Sequence, residues 1–181
     1  MNAKVVFTMI CTGLLCSCCG ALTDPTYLEG ETPTEEDTLL VLTEEPPLVS
    51  KARTALREFY ALLNQAKYDQ AAELYGGSQE LLLGYNPFLD EKDTAELLQA
   101  ACEFNGFMCL ELLSASLSEV RNQFELVFEV EFANSDGSLF VLGPCCGENE
   151  ETMSSKSSFT VHVHCSSEDS CLVIDLPPYV P

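Results

Sequence analysis

The chain has no tryptophan, only two histidines and only eight Lys and Arg against 29 Asp and Glu. The shortage of basic residues excludes a nucleic-acid partner, because binding phosphates requires clustered cations that displace counterions. It also opposes adsorption to an anionic lipid surface. No Gly-x-Ser-x-Gly elbow is present, which removes the usual serine hydrolase layout, and no glycine-rich phosphate loop is present either. No long apolar run of about 20 residues marks a membrane-spanning helix.

What is present is acid, cysteine and aromatic carbon. The formal charge is −21 with a pI near 4.1, a balance that favours solubility and opposes self-association. Ten cysteines in 181 residues point to an oxidising compartment or to metal, since such a density is unusual where thiols are kept reduced. Ten Phe and six Tyr supply enough bulk for one core, and the length accommodates a single domain with a leader and a tether.

The N-terminus carries Lys4, an apolar run from Val5 to Leu15 and then Cys16-Ser17-Cys18-Cys19-Gly20. One positive charge, a short apolar segment and small residues are the ordered parts of a secretory signal. A spanning helix is the competing reading, and the run is short for it. Leu15-Cys16-Ser17-Cys18 resembles the lipobox of bacterial lipoproteins. That resemblance implies removal of residues 1–17 and lipidation of Cys18, with Cys19 as the alternative acceptor. It departs from the usual pattern at Cys16. The implied location is an exported, lipid-anchored protein facing the periplasm or the cell exterior, with acyl chains providing the membrane contact.

Residues 18–49 read as a tether. Asp24, Glu29, Glu31, Glu35, Glu36, Asp37, Glu44 and Glu45 occur there with four prolines and no Lys or Arg, a composition that extends rather than packs. An apolar island, Thr38-Leu39-Leu40-Val41-Leu42, interrupts it.

Residues 50–181 read as the folded domain. Ser50 is placed to cap a helix whose Ala52, Leu56, Phe59, Tyr60, Leu63 and Ala66 repeat at three and four. A second helix spans 69–75, with Gly76-Gly77 as a stop that relieves left-handed strain. A third runs from Asp90 or Asp93 to about Glu103 and ends at Asn105-Gly106. The period then changes to two. Strands are expected at 110–117, 124–132, 139–142, 158–165 and 171–176, with Asn134-Ser135-Asp136-Gly137 as a turn. In the second strand Phe124, Leu126, Phe128, Val130 and Phe132 face one side, and three of the four residues between them are glutamates. Two to three helices followed by a curled, mainly antiparallel sheet make an α+β domain.

The phrase Ala61-Leu62-Leu63-Asn64 followed by Tyr68-Asp69-Gln70-Ala71-Ala72-Glu73-Leu74-Tyr75, ahead of a meander of strands, resembles the nuclear transport factor 2-like group and its small bacterial lipoprotein members. The resemblance covers roughly residues 50–176 and implies a cystatin-like cone. Relatives include ketosteroid isomerase-like enzymes with an aspartate base and hydroxyl donors inside the cone. Asp175 with Tyr60 or Tyr75 comes nearest to that arrangement, although Asp175 sits among Val173, Leu176 and Pro177 and both tyrosines fall on helix faces that need filling. No residue is assigned as catalytic.

Six cysteines of the domain are disulfide candidates: Cys102, Cys109, Cys145, Cys146, Cys165 and Cys171. Cys102 with Cys109, and Cys165 with Cys171, each bracket a turn. Adjacent Cys145 and Cys146 either close a strained ring or reach different partners. A zinc site would draw on His162, His164 and Cys165 with Cys145, Cys146 or Cys171, but Cys165 alternates away from the histidines, and no spacing usual for zinc occurs among these cysteines. Neither a metal nor another cofactor is expected. The expected function is a non-catalytic binding domain for a protein or a small apolar ligand in the mouth of the cone. The alternatives are a small-molecule enzyme in the same cavity or a structural envelope protein.

Overall fold

The computed structural model describes residues 45–89, 93–146, 148–149, 151–166 and 170–180. The signal segment, nearly all of the tether and the lipidation candidate Cys18 lie outside them. The architecture is α+β, with helices α1 (Pro47–Asn64), α2 (Tyr68–Glu73), α3 (Gln79–Tyr85) and α4 (Thr94–Phe104) preceding strands β1 (Glu111–Asn122), β2 (Glu125–Ala133), β3 (Phe159–Cys165) and β4 (Cys171–Val173).

Helix α1 starts at Pro47, not at Ser50. Proline suits the first helical position because its missing N–H is one that has no partner there anyway. The earlier start brings Val49 into the core at 5% exposure, while the Ser50 N–H bonds back to the Pro46 carbonyl at 3.1 Å. Val49, Ala52, Leu56, Phe59, Tyr60, Leu62 and Leu63 form the buried stripe. The buried stripe ends at Leu63 and not at the expected Ala66, which lies beyond the helix at φ 56°. There the Lys67 N–H bonds to the Leu62 carbonyl (2.9 Å) and the Ala66 N–H to the Leu63 carbonyl (3.0 Å), a Schellman closure with alanine in the position glycine usually fills.

Gly76 and Gly77 act differently from the expectation. Neither is left-handed; they are small because the chain presses against β4. A Cβ on Gly77 would run into the Ile174 carbonyl, and one on Gly76 into the Leu172 side chain. The contact is a short backbone pairing in which the Val173 N–H meets the Leu74 carbonyl (2.8 Å) and the Gly76 N–H meets the Val173 carbonyl (2.9 Å). Helix α3 was not among the expected elements. The Ser78 side chain caps it by accepting from the Leu81 N–H at 3.1 Å, and Leu82 is fully buried. In α4 the Asp93 carboxylate does the same for Glu96, and Gly106, at φ 74°, ends the helix as expected.

The sheet is antiparallel and open, with strands in the order β1-β2-β3-β4. Leu126, Phe128, Val130 and Phe132 of β2, with Phe159, Val161 and Val163 of β3, form its buried face and belong to one core with α1. Phe124 lies before β2 and is only partly covered. The Gly137 turn forms at φ 81°, but residues 139–142 return without building a strand. Phe140 bonds once to Phe132 (2.8 Å), after which β3 takes the free side of β2 from Val130 onward. Strand β4 also stops early, since the Asp175 carboxylate accepts the next N–H of β3 in place of a backbone carbonyl.

Two disulfides are formed, Cys102–Cys109 between α4 and the approach to β1, and Cys165–Cys171 across the last hairpin. Loops this short give about 2–3 kcal/mol each. Such bonds are consistent with an oxidising compartment. Among the described residues no helix is long and apolar enough to cross a membrane.

Phe132 is fully buried with Tyr60 edge-on at 5.0 Å and Phe159 at 5.8 Å, so Phe132→Ala is expected to cost about 3–5 kcal/mol in urea unfolding of the oxidised protein. Leu113→Ala, at a half-exposed position of β1, is expected to cost less than ~1 kcal/mol.

Candidate functional site

The structure brings together the three residues nearest to a catalytic layout and adds a fourth. Tyr60 lies on the core face of α1, Tyr75 follows α2, and Asp175 follows β4. Asp175 Oδ2 accepts from the backbone N–H of His162 at 2.6 Å and lies 2.7 Å from His162 Nδ1. A carboxylate only accepts, so Nδ1 is the donor in this pair and Nε2 is the ring nitrogen turned away from Asp175. That Nε2 is buried and has no partner. The Tyr75 hydroxyl donates to the Ser78 carbonyl at 3.3 Å, whereas the Tyr60 hydroxyl, fully buried, has no partner.

Burial is the main reason the Tyr60 hydroxyl stays protonated far above the usual phenol range; the charge of Asp175 and then Tyr75 add to it. Tyr75 is pushed up to about 12, again by burial first and Asp175 second. Thus the group holds a histidine–aspartate pair, but its free nitrogen is covered and the hydroxyl nearest in character to a donor is sealed among Phe59 and Phe132. The His162–Asp175 pairing escaped sequence reasoning. Its one signal was an acid in the apolar stretch Val173 to Pro177, a place where a carboxylate needs partners.

An open apolar site lies elsewhere, between α3 and α4. A cleft of 530 Å³ is walled by Tyr85, Phe88, Leu89, Ala100 and Phe104. Glu96 and Gln99 line it too, and no Lys or Arg does among the described residues. Its polar floor is Asn86, 7% exposed, whose Nδ2 donates to the Leu82 carbonyl (3.0 Å) and whose Oδ1 accepts from Asn105 Nδ2. Asn105 Nδ2 also reaches the Ala100 carbonyl at 3.1 Å, so the end of α4 is tied to the end of α3. Tyr85 is held from behind by Phe107 (4.9 Å) and Tyr179 (5.2 Å). Against this fixed wall, Phe88 is 98% and Phe104 is 78% exposed. Rings so large are seldom left in water without a use when they flank a concavity. Sequence reading missed the cleft because Phe104 looks like the end of a helix stripe and Phe88 like ordinary loop filler.

The zinc reading does not assemble. Cys165 is bonded to Cys171, His164 is exposed, and His162 is turned to Asp175. No group of three or more His, Cys, Asp or Glu among the described residues is arranged to hold a metal ion. Among the described residues Cys145 and Cys146 reach no other cysteine; they are free thiols whose sulfurs lie 3.1 Å apart.

The isolated Tyr60 hydroxyl generates a prediction with a defined sign. A buried donor without a partner costs about 1–3 kcal/mol, so Tyr60→Phe is expected to keep or raise stability at pH 7. Above pH ~10 the unfolded chain loses phenolic protons that folded Tyr60 and Tyr75 retain, so stability falls as pH rises, by ~1.4 kcal/mol per unit for each residue. Denaturant titration between pH 7 and 11 should show a slope in Tyr60→Phe that is shallower by about one proton.

No protein-family model matches the chain, and no curated protein matches it.

Proposed function

We propose that this is a non-catalytic, extracytoplasmic binding domain that takes a small apolar ligand, neutral or cationic, in the cleft between α3 and α4. The near-complete exposure of Phe88 and Phe104 across a cleft with a fixed hydrogen-bonded floor carries this reading. A volume of 530 Å³ falls in the range of small-molecule sites, about 300–1,000 Å³, and is small for a protein surface. The net charge of −21, with Glu96 in the lining, disfavours an anion.

The proposal includes the address and the fold group. Export with a lipid on Cys18 is supported by the ordered signal and lipobox residues and by two disulfides suited to an oxidising space. The cone of the nuclear transport factor 2-like group is supported by an antiparallel meander, interrupted in register three times along β1, with α1 packed on its apolar face. In this reading the interior of the cone is filled by Phe59, Tyr60, Phe128 and Phe132, which is why the ligand site is moved from the cone to the helices.

The test is fluorescence titration with an uncharged solvatochromic dye. Wild-type protein is expected to bind it saturably, and Phe104→Ala to bind about tenfold more weakly, ~1.4 kcal/mol, with an unchanged thermal midpoint. Absence of saturable binding, or equal binding by the variant, would contradict the proposal.

A further inference from the structure

Among the described residues two thiols stand beside two disulfides, and their geometry is not that of inert cysteines. Cys145 and Cys146 lie in the segment between the Leu142–Lys156 bridge and its turns, Cys146 exposed and Cys145 half-buried. Cys146 adopts φ 60°, a left-handed conformation costing about 1–2 kcal/mol for a residue with a Cβ. A turn in which the Glu148 N–H bonds to the Cys145 carbonyl at 2.9 Å follows at once. The outcome is that adjacent side chains, which point apart in an extended chain, turn together until their sulfurs are 3.1 Å apart. A bond between them would need an approach of only about another 1 Å, to ~2.05 Å.

We propose that Cys145 and Cys146 are a redox-active dithiol that is oxidised reversibly to a vicinal disulfide by exchange with a small-molecule or protein disulfide. The exposed Cys146 thiolate attacks one sulfur of the incoming disulfide; the Cys146–sulfur bond forms, the disulfide bond breaks, and the released thiolate takes up a proton. Cys145 then attacks the Cys146 sulfur, closing the ring and expelling the second thiol. Two protein thiols lose two electrons in all, and one external disulfide becomes two thiols.

The order follows from exposure. It also agrees with the contact to Cys146, partial burial and the charge of Glu148, which together hold the Cys145 thiol above its usual range and so keep it protonated until Cys146 has reacted. Adjacent α-carbons are only ~3.8 Å apart, below the ~4.4–6.8 Å usual across a disulfide, so the ring is strained and easily reopened. Strained bonds of this kind have high potentials and serve as labile rather than structural links. Cys102–Cys109 and Cys165–Cys171 then staple the domain while the vicinal pair responds to the surrounding redox poise.

The test uses the full chain incubated with oxidised glutathione, then alkylated and digested with trypsin. Residues 122–156 contain no internal Lys or Arg and hold both cysteines, so one peptide reports the pair. The expected wild-type product is lighter by about 2 Da than the dithiol peptide, blocked to alkylation and free of glutathione. Mild dithiothreitol should reopen it while both structural disulfides persist. In Cys145→Ser the second step is absent, and one glutathione should remain on Cys146. Wild-type peptide with both thiols still alkylated, with glutathione on each cysteine, or with a bond to another chain would overturn the proposal.

Discussion

The whole domain rests on filling one face of a four-stranded sheet with a single helix. The α1 stripe delivers Leu56, Phe59, Tyr60 and Leu63 to a core shared with Leu126, Phe128, Val130 and Phe132. Fully burying one such side chain gives about 1.5–3 kcal/mol, so this layer far outweighs either disulfide. The core is also aromatic enough to lock in geometry, with Tyr60 edge-on to both Phe59 and Phe132. The other helices are arranged around that layer: α2 turns back through a Schellman closure, and α3 and α4 add Leu82, Leu97, Leu98 and Ala101 to the same core.

Filling the interior this way has polar consequences. The Tyr60 hydroxyl is left without a partner, and the end of β4 is finished by a side chain instead of a strand. Asp175 turns the backbone and ring of His162 into one clip, and the tail beyond it pairs with the segment that follows α4, where the Met108 N–H meets the Pro178 carbonyl (2.7 Å) and the Val180 N–H meets the Gly106 carbonyl (2.8 Å). Tyr179 thereby joins Phe107 and Tyr85, the rigid back of the cleft. The packed interior and the open cleft are thus connected physically: the tail that follows β4 also stiffens the helical wall.

Elements whose period was carried by their own residues were legible in the sequence. The alternation of β2, the stripe of α1, the Asn105-Gly106 stop and the Gly137 turn could be read directly, while for the cysteines the sequence offered six candidates and the structure selects Cys102–Cys109 and Cys165–Cys171. What stayed hidden depends on partners distant in the chain. Residues 139–142 have strand composition but find β2 already paired, and Gly76-Gly77 look like a helix stop but are small because Ile174 and Leu172 press on them. Helix α3 is only seven residues long, too short for a stripe to show. The cleft needed Phe88 and Phe104, 16 positions apart and each unremarkable alone, to be placed together. The vicinal cysteines were visible as a pair, but the backbone turn that joins their sulfurs was not.

The central claim, that the apolar interior is closed and the accessible apolar site is helical, is tested most directly by two-dimensional NMR of the oxidised domain titrated with a neutral paramagnetic apolar probe. Broadening confined to Phe88, Leu89, Ala100 and Phe104, with Phe132, Val161 and Val163 unaffected, is the predicted result. Broadening of Phe132, Val161 and Val163 would contradict it, because it would mean that the sheet encloses an open pocket.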